Sequence, residues 1–299
     1  MSDSDKVALK GRVALVTGGA QGLGRAIAAE LIRHGASAVI VDHGGAIDGS
    51  AHNLELTRQC AAELGANAAA FPADITAPGT PPAAVDFAIK TFGALDIVVN
   101  NAAIIRDAFI FKSDPEVTDA VIRNNLTAAF NILSAATPIM RDQAKNGRGG
   151  GKWGRIINIV STAGIYGNFG QSSYGAAKGG LIGLTRVVAM DMARAGVTCN
   201  AIAPFAATRV TESIKPANDE QARYKERALT VKPYHVGRFA AFLCSDAGAK
   251  ITGQLFGVRS REVMLFSQPR PIARLARDRD WTIDDLAAAV EREMAPKFT

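Results

Sequence analysis

Val13-Ala14-Leu15-Val16-Thr17-Gly18-Gly19-Ala20-Gln21-Gly22-Leu23-Gly24 is the stretch that decides the fold. Val13–Thr17 is a short apolar, β-branched run bounded by glycines, as a buried strand requires. Leu23, Ile27 and Leu31 follow at i, i+4 and i+8 across Leu23–His34, the period of one helix face. Between strand and helix, glycines at 18, 22 and 24 let the backbone turn tightly and approach a bound group closely. A helix starting there offers unpaired N–H groups and a partial positive charge. Gly18, Gln21, Gly22, Leu23 and Gly24 are therefore candidates for cradling a pyrophosphate. A glycine-rich run alone is a weak signal, and its place between strand and helix strengthens it.

The same alternation continues along the 299 residues. Further strands are expected at Ala38–Asp42, Ala68–Pro72, Asp96–Asn100, Arg155–Ser161, Thr198–Ala203 and Gln254–Val258, with amphipathic stretches between them. Strands that are apolar throughout and separated by helices imply a parallel sheet covered on both faces. The expectation is a doubly wound α/β fold of about seven strands, a single domain over residues 1–299. Residues 259–299, rich in Arg and Pro at first, are read as its C-terminal extension. There, Thr282 and Asp285 resemble a capping box ahead of Leu286–Val290. Asn146–Gly154 (NGRGGGKWG) is expected to be a mobile surface loop.

The second strand ends in Asp42, where a carboxylate can accept ribose hydroxyls and would repel a 2′-phosphate. His43-Gly44-Gly45 follow without a nearby Lys or Arg, which favours NAD over NADP; His43 itself is read as a loop residue. The third strand runs into Asp74-Ile75, placing a second acid near the adenine end of such a cofactor.

Tyr174 and Lys178 lie four apart, on one face of a helix. A phenol with a pKa near ~10 exchanges protons poorly at neutral pH. An adjacent ammonium favours the phenolate and makes the pair a usable acid/base. Ser161 lies 13 residues before Tyr174 at the end of a strand, Asn100-Asn101-Ala102-Ala103 closes another, and Asn125-Leu126 sits in the next helical stretch. Together with TGxxxGxG, in this order over about residues 10–258, these motifs resemble the short-chain dehydrogenase/reductase family and its Rossmann-type sheet.

That resemblance implies roles. Tyr174 would exchange a proton with the substrate oxygen as hydride passes to or from nicotinamide. Lys178 would support Tyr174 and hold the nicotinamide ribose, and Ser161 would hydrogen-bond the substrate oxygen. Asn125 would position a relay water; Asn124 is adjacent, but the family's Asn directly precedes Leu. Cofactor contacts would come from Asn101, Ala102, Ala103, Pro204 and Thr208. Three departures stand out: Ala103 replaces a usual Gly, Phe205 follows Pro204 where Gly is usual, and Arg259-Ser260-Arg261 replaces Gly-Gly after the last strand.

NAAIIRD (101–107), GIYGNFGQ (164–171), CNAIAPFAATRVT (199–211) and Lys232-Pro233 are similar to the 3-hydroxyacyl-CoA dehydrogenase unit of peroxisomal multifunctional enzyme type 2 and to related bacterial dehydrogenases. The substrate so implied is a 3-hydroxyacyl-CoA, with an acyl group that can be steroid- or ring-derived. The loop Gly167–Gln171 would border its pocket, Tyr166 would line it, and Arg270, Arg274, Arg277 and Arg279 are candidates for CoA phosphates. A free alcohol or ketone, such as a hydroxysteroid or cyclic ketone, fits the same Ser/Tyr/Lys chemistry. A non-catalytic NAD-binding sensor or scaffold is the alternative of another class, and the intact tetrad argues against it. The resemblance also implies a homodimer or homotetramer.

Composition bounds the rest. Hydrophobic residues make up 48% and charged residues 21%, enough for a continuous core. The net charge of +6 comes without a dense basic, aromatic-interleaved stripe, so no nucleic-acid partner is expected. No apolar run reaches membrane-spanning length. Cys60, Cys199 and Cys244 are scattered, as free thiols in a reducing compartment would be, and with no secretory leader the expectation is cytoplasmic. Four histidines and no HExxH or paired cysteines give no metal site.

Overall fold

A computed structural model describes residues 9–206 and 219–298. Eight strands form one sheet in the order β3-β2-β1-β4-β5-β6-β7-β8. They are β1 Val13–Thr17, β2 Ser37–Asp42, β3 Ala68–Pro72, β4 Ile97–Asn100, β5 Gly154–Ile159, β6 Val197–Phe205, β7 Leu255–Arg259 and β8 Glu262–Leu265. The first seven pair in parallel, and β8 returns antiparallel to β7. The eighth strand exceeds the expected count. Its turn carries Ser260 at φ 53, a conformation that glycine or asparagine usually signals, and its side chains are mostly exposed, so no alternating pattern marks it.

Both faces are covered, as continuous apolar strands demand. On one side pack helices α1 (Gly22–Arg33) and α2 (Leu54–Leu64), with Leu23, Ile27 and Leu31 buried as their period requires. On the other pack α3 (Thr80–Phe92), α5 (Ala128–Lys145) and α7 (Ser172–Asp191), through Val85, Ile132 and Val188. The remaining helices are α4 (Pro115–Ile122), the single turn α6 (Ala163–Tyr166), α8 (Asp219–Leu229), α9 (Tyr234–Cys244) and α10 (Ile283–Glu293). The strand order reverses between β1 and β4, whose carboxyl ends, Thr17 and Asn100, flank the crevice where doubly wound sheets bind ligands.

The glycine-rich loop before β5 is pinned rather than mobile. Arg148 donates twice to the buried Asp96 carboxylate, Nε at 2.7 Å and Nη2 at 2.6 Å. Trp153 is buried, donates Nε1–H to Asp246 at 2.8 Å, and lies under the guanidinium groups of Arg12 and Arg155. The chain divides into two compact units, up to Leu265 and from Phe266. Within the second, Thr282 caps α10 by accepting from Asp285 N, while the Asp285 carboxylate turns to Arg277.

Candidate active site

The turn after β1 is built by close backbone approach. Gly18 has φ +61, and a Cβ there would press on Ala102 Cα at 2.8 Å. A Cβ on Gly24 would collide with Gly18 O and Asn101 Nδ2, so the first turn of α1 sits directly against the loop. Asn101 Nδ2 donates to Thr17 O and Gly18 O at 3.0 and 2.9 Å, and Thr17 Oγ1 accepts from the N–H groups of Asn101 and Ala102. Gln21 stands at the N-cap of α1 with no side-chain cap bond, and no acid lies in the first turn, leaving the helix end suited to an anion. Gly22 shares this turn with φ +51, and Leu23 is buried behind it.

Asp42 is held at the adjacent strand end. Its Oδ2 accepts from Ala20 N at 3.0 Å and its Oδ1 from Gly44 N at 2.8 Å, leaving further lone pairs on both oxygens for hydroxyl donors. His43 accepts from Gly45 N through Nδ1, and its ring lies 4.5 Å from that of His52, tilted by 34°, within the loop. Asp74 spends one oxygen, Oδ1, on Thr76 N and Oγ1. Ile75 and Ala102 line a small cavity with Thr17, Asn100 and Asn124, and Ala103 follows half-buried. Pro204 lies in β6 beside Val258. Thr208 falls outside the described residues.

The side chains expected to react come from three elements. Tyr174 and Lys178 share one face of α7 and are both buried, with Lys178 Nζ 5.7 Å from the Tyr174 ring centroid. Nζ donates to Ile159 O, the last residue of β5, at 2.8 Å. Burial pushes the Lys178 ammonium down to about 8. Strand β5 stops two residues short of the expected end, so Ser161 sits in the bend beyond it, and its Oγ accepts from Ala163 N at 3.2 Å. Ala163 begins α6, which lies so close to α7 that a Cβ on Gly164 would meet the Lys178 carbonyl carbon at 2.6 Å. Ser161 is thereby brought to the Tyr174–Lys178 face.

Asn125 lies within a π-helical turn, Arg123–Thr127, that joins α4 to α5. Such turns interrupt the regular hydrogen-bond ladder and recur at functional sites. Its side chain is held at both ends: Oδ1 accepts from Ile104 N and Nδ2 donates to Ile104 O, both at 2.8 Å, leaving one N–H and one lone pair. Ile104, Ile105, Val121, Ala163 and Tyr174 then form one apolar cluster, so the segment after β4, the π turn and α7 meet around the tyrosine.

Two groups escaped the sequence reading. Asn158, mid-strand in β5, accepts from Asn100 Nδ2 and donates to Thr185 Oγ1, cross-linking β4, β5 and α7. A polar residue inside the apolar run RIINIV was its signal. Asp107 and Gln171, discussed below, lie in the motifs NAAIIRD and GIYGNFGQ, but nothing in the sequence signals their contact. Among the described residues no cluster of metal-ligating side chains occurs and no helix is long and apolar enough to cross a membrane.

Residues 12–222 match the family model described as short chain dehydrogenase. The chain belongs to the short-chain dehydrogenase family. It is an oxidoreductase of that family, acting on CH–OH groups. The chain is 39% identical over 283 residues to the hydroxyacyl-CoA dehydrogenase ChsB1 of Mycobacterium tuberculosis, covering 94% of this chain and 88% of that one. It is 38% identical over 248 residues to the peroxisomal multifunctional enzyme type 2 of Drosophila melanogaster, covering 83% of this chain and 39% of that longer protein. Among solved structures, the 3-ketoacyl-(acyl-carrier-protein) reductase of Brucella melitensis complexed with NADH superposes with a TM-score of 0.73 at 27% identity, covering 83% of this chain and 97% of that one.

Proposed function

We propose that this protein is an NAD-dependent dehydrogenase of 3-hydroxyacyl-CoA thioesters carrying a bulky, ring-containing acyl group. The observation that carries the reading is the buried Tyr174–Lys178 pair on α7, in a chain whose glycine turn follows β1 at the β1/β4 switch of strand order. NAD fits the residues present: Gly18–Gly24 would take the pyrophosphate, Asp42 the adenosine ribose, and Ile75, Asn101, Ala102 and Ala103 the adenine side. Bound there, its nicotinamide would accept the hydride of the alcohol. The chain supplies the proton chemistry. Tyr174 takes the hydroxyl proton, Ser161 holds the substrate oxygen, and the Lys178 ammonium favours the phenolate. Asn125, by gripping Ile104, fixes the π turn beside them.

The bulky acyl group is supported by the mouth of the site. Phe109, Ile110 and Phe111 on one loop and Tyr166 and Phe169 on the other are all exposed, with Phe109 and Phe111 stacked at 5.5 Å. Exposed apolar side chains on two loops that bond to each other suit an apolar ligand. A free ring alcohol is the second reading, favoured by one observation. Arg277, a candidate for CoA phosphate, already pairs with Asp285 and covers Trp281.

The reading makes the chain one dehydrogenase domain with residues 259–299 as its extension. It also makes the enzyme a cytoplasmic homo-oligomer, supported by three buried, free cysteines. Purified protein with NAD or NADP, assayed on 3-hydroxyacyl-CoA thioesters beside the matching free alcohols, tests the substrate. NAD reduction on thioesters is expected, and Tyr174→Phe should lower it by about 100-fold or more. Turnover on free alcohols alone would overturn the CoA assignment.

A further inference from the structure

Five consecutive residues after β4 reach three different segments around the site. Ile104 holds the Asn125 side chain through two backbone bonds. Ile105 N donates to Ile47 O at 2.9 Å, and Arg106 Nε donates to Asp48 O at 2.7 Å, both on the loop that follows Asp42. Ala108 N donates to Gly170 O at 2.7 Å. Asp107 accepts from Gln171 Nε2 on both carboxylate oxygens, at 3.1 and 3.3 Å.

Gln171 is the N-cap of α7, yet its side chain makes no cap bond. It is spent on Asp107, and its Oε1 accepts from Asn168 Nδ2 at 3.1 Å. Its backbone O accepts the opening helix bond from Gly175 N at 2.7 Å, and Tyr174 lies three residues on. The Asp107–Gln171 tie thus joins the start of the tyrosine-bearing helix to the segment that holds Asn125. The tie lies at the surface, where desolvation by its neighbours still holds the Asp107 carboxyl above the usual range and the Gln171 bond pulls it back.

We propose that Asp107 and Gln171 are positioning residues: their hydrogen-bonded tie sets the first turn of α7, and with it Tyr174, against the π turn that carries Asn125. This rests on the dehydrogenase reading, in which the Tyr174 hydroxyl must meet the substrate oxygen, and a displacement of about 1 Å can cost some 100-fold in rate.

The conservative variant separates the tie from the charge, because an asparagine at 107 still offers Gln171 a carbonyl oxygen. Asp107→Ala and Gln171→Ala are each expected to lower kcat by about 100-fold with KM for NAD unchanged. The double variant should be no worse than either single one, as partners in one contact require. Asp107→Asn should keep kcat within about threefold, the scale of one neutral hydrogen bond. Hydrogen exchange reads the tie without any substrate: amides of residues 168–175 should exchange about tenfold faster in Asp107→Ala than in Asp107→Asn. Equal loss in Asp107→Asn and Asp107→Ala, additive single effects, or unchanged exchange would each overturn the proposal. An inactive wild-type protein would sink the dehydrogenase reading instead, and the exchange comparison would still decide the tie.

Discussion

Lys178 is asked to be charged where charge is costly. Its Nζ is buried, has one hydrogen bond, to Ile159 O, and is pushed down to about 8 by desolvation. Below pH 8 the folded protein therefore holds a buried ammonium that the unfolded chain would keep in water, and this opposes folding. Between about pH 8 and the ordinary lysine value of 10.5 the folded state has released the proton and the unfolded state has not. There the unfolded state binds more protons, so stability rises with pH. Above 10.5 both states are neutral and the penalty is gone. Lys178→Met removes the ammonium while keeping the aliphatic stem. It should raise Tm relative to wild type at pH 7, with the gain shrinking steadily toward pH 10.5, and it should abolish turnover at every pH. Differential scanning calorimetry across that range checks the sign: a gain that grew with pH would mean that Lys178 is stabilised as an ammonium.

Among the elements, the lower rim of the sheet, opposite the site, hangs on one carboxylate. Asp96 is buried at the start of β4, and its Oδ2 accepts from Val13 N at 2.9 Å, the first residue of β1. Arg148 from the glycine-rich loop fills the rest of it, and the bond to Asp96 is the main reason its guanidinium is held above its usual value. Asp96→Ala would leave Val13 N without its acceptor, and Arg148 with only Gly11 O, at the point where two central strands begin. Leaving a buried backbone donor such as Val13 N unpaired costs about 1–3 kcal/mol, and a fall of that size in urea unfolding is expected, against a smaller one for Arg148→Ala, whose side chain reaches solvent. Equal, small losses would show that the rim does not depend on Asp96. This loop also marks the limit of what the sequence made legible. Strand β1, the helix after the glycine turn and the Tyr174/Lys178 face follow from local patterning, because burial of β1 on both sides leaves an apolar run with few alternatives, and the half-buried edge strand β3 carries a similar apolar run. Arg148 binding Asp96 is a contact across 52 positions, and NGRGGGKWG looks locally like any exposed loop. The short strand Glu262–Leu265 was hidden for a similar reason, its partner being the register of β7 rather than any pattern of its own. Asn125 was legible as a residue but not in its manner of action, since only the fold shows its amide spent on Ile104.

At the scale of the whole molecule, one exposed apolar face among the described residues lies on the side of the sheet that packs α3, α5 and α7. Phe130 on α5 is 56% exposed, and Val187 and Met190 on α7 are 55% and 78% exposed, while the opposite sides of the same helices are buried against the sheet. The helix that presents Val187 and Met190 also carries Tyr174 and Lys178, so a partner laid on it would stiffen that helix from outside. Large apolar side chains on two helices of one layer are what a self-complementary contact between copies uses. Light scattering should therefore give two or four times the 31.3 kDa of one chain. Phe130→Asp combined with Met190→Asp would place carboxylates in that contact and should shift the mass toward a single chain. A monomeric wild type throughout the micromolar range, or a double variant that assembles unchanged, would remove these helices as the interface. If assembly does stiffen α7, the dissociated double variant should also lose kcat while its affinity for NAD, held at the other end of the crevice, stays close to that of the parent.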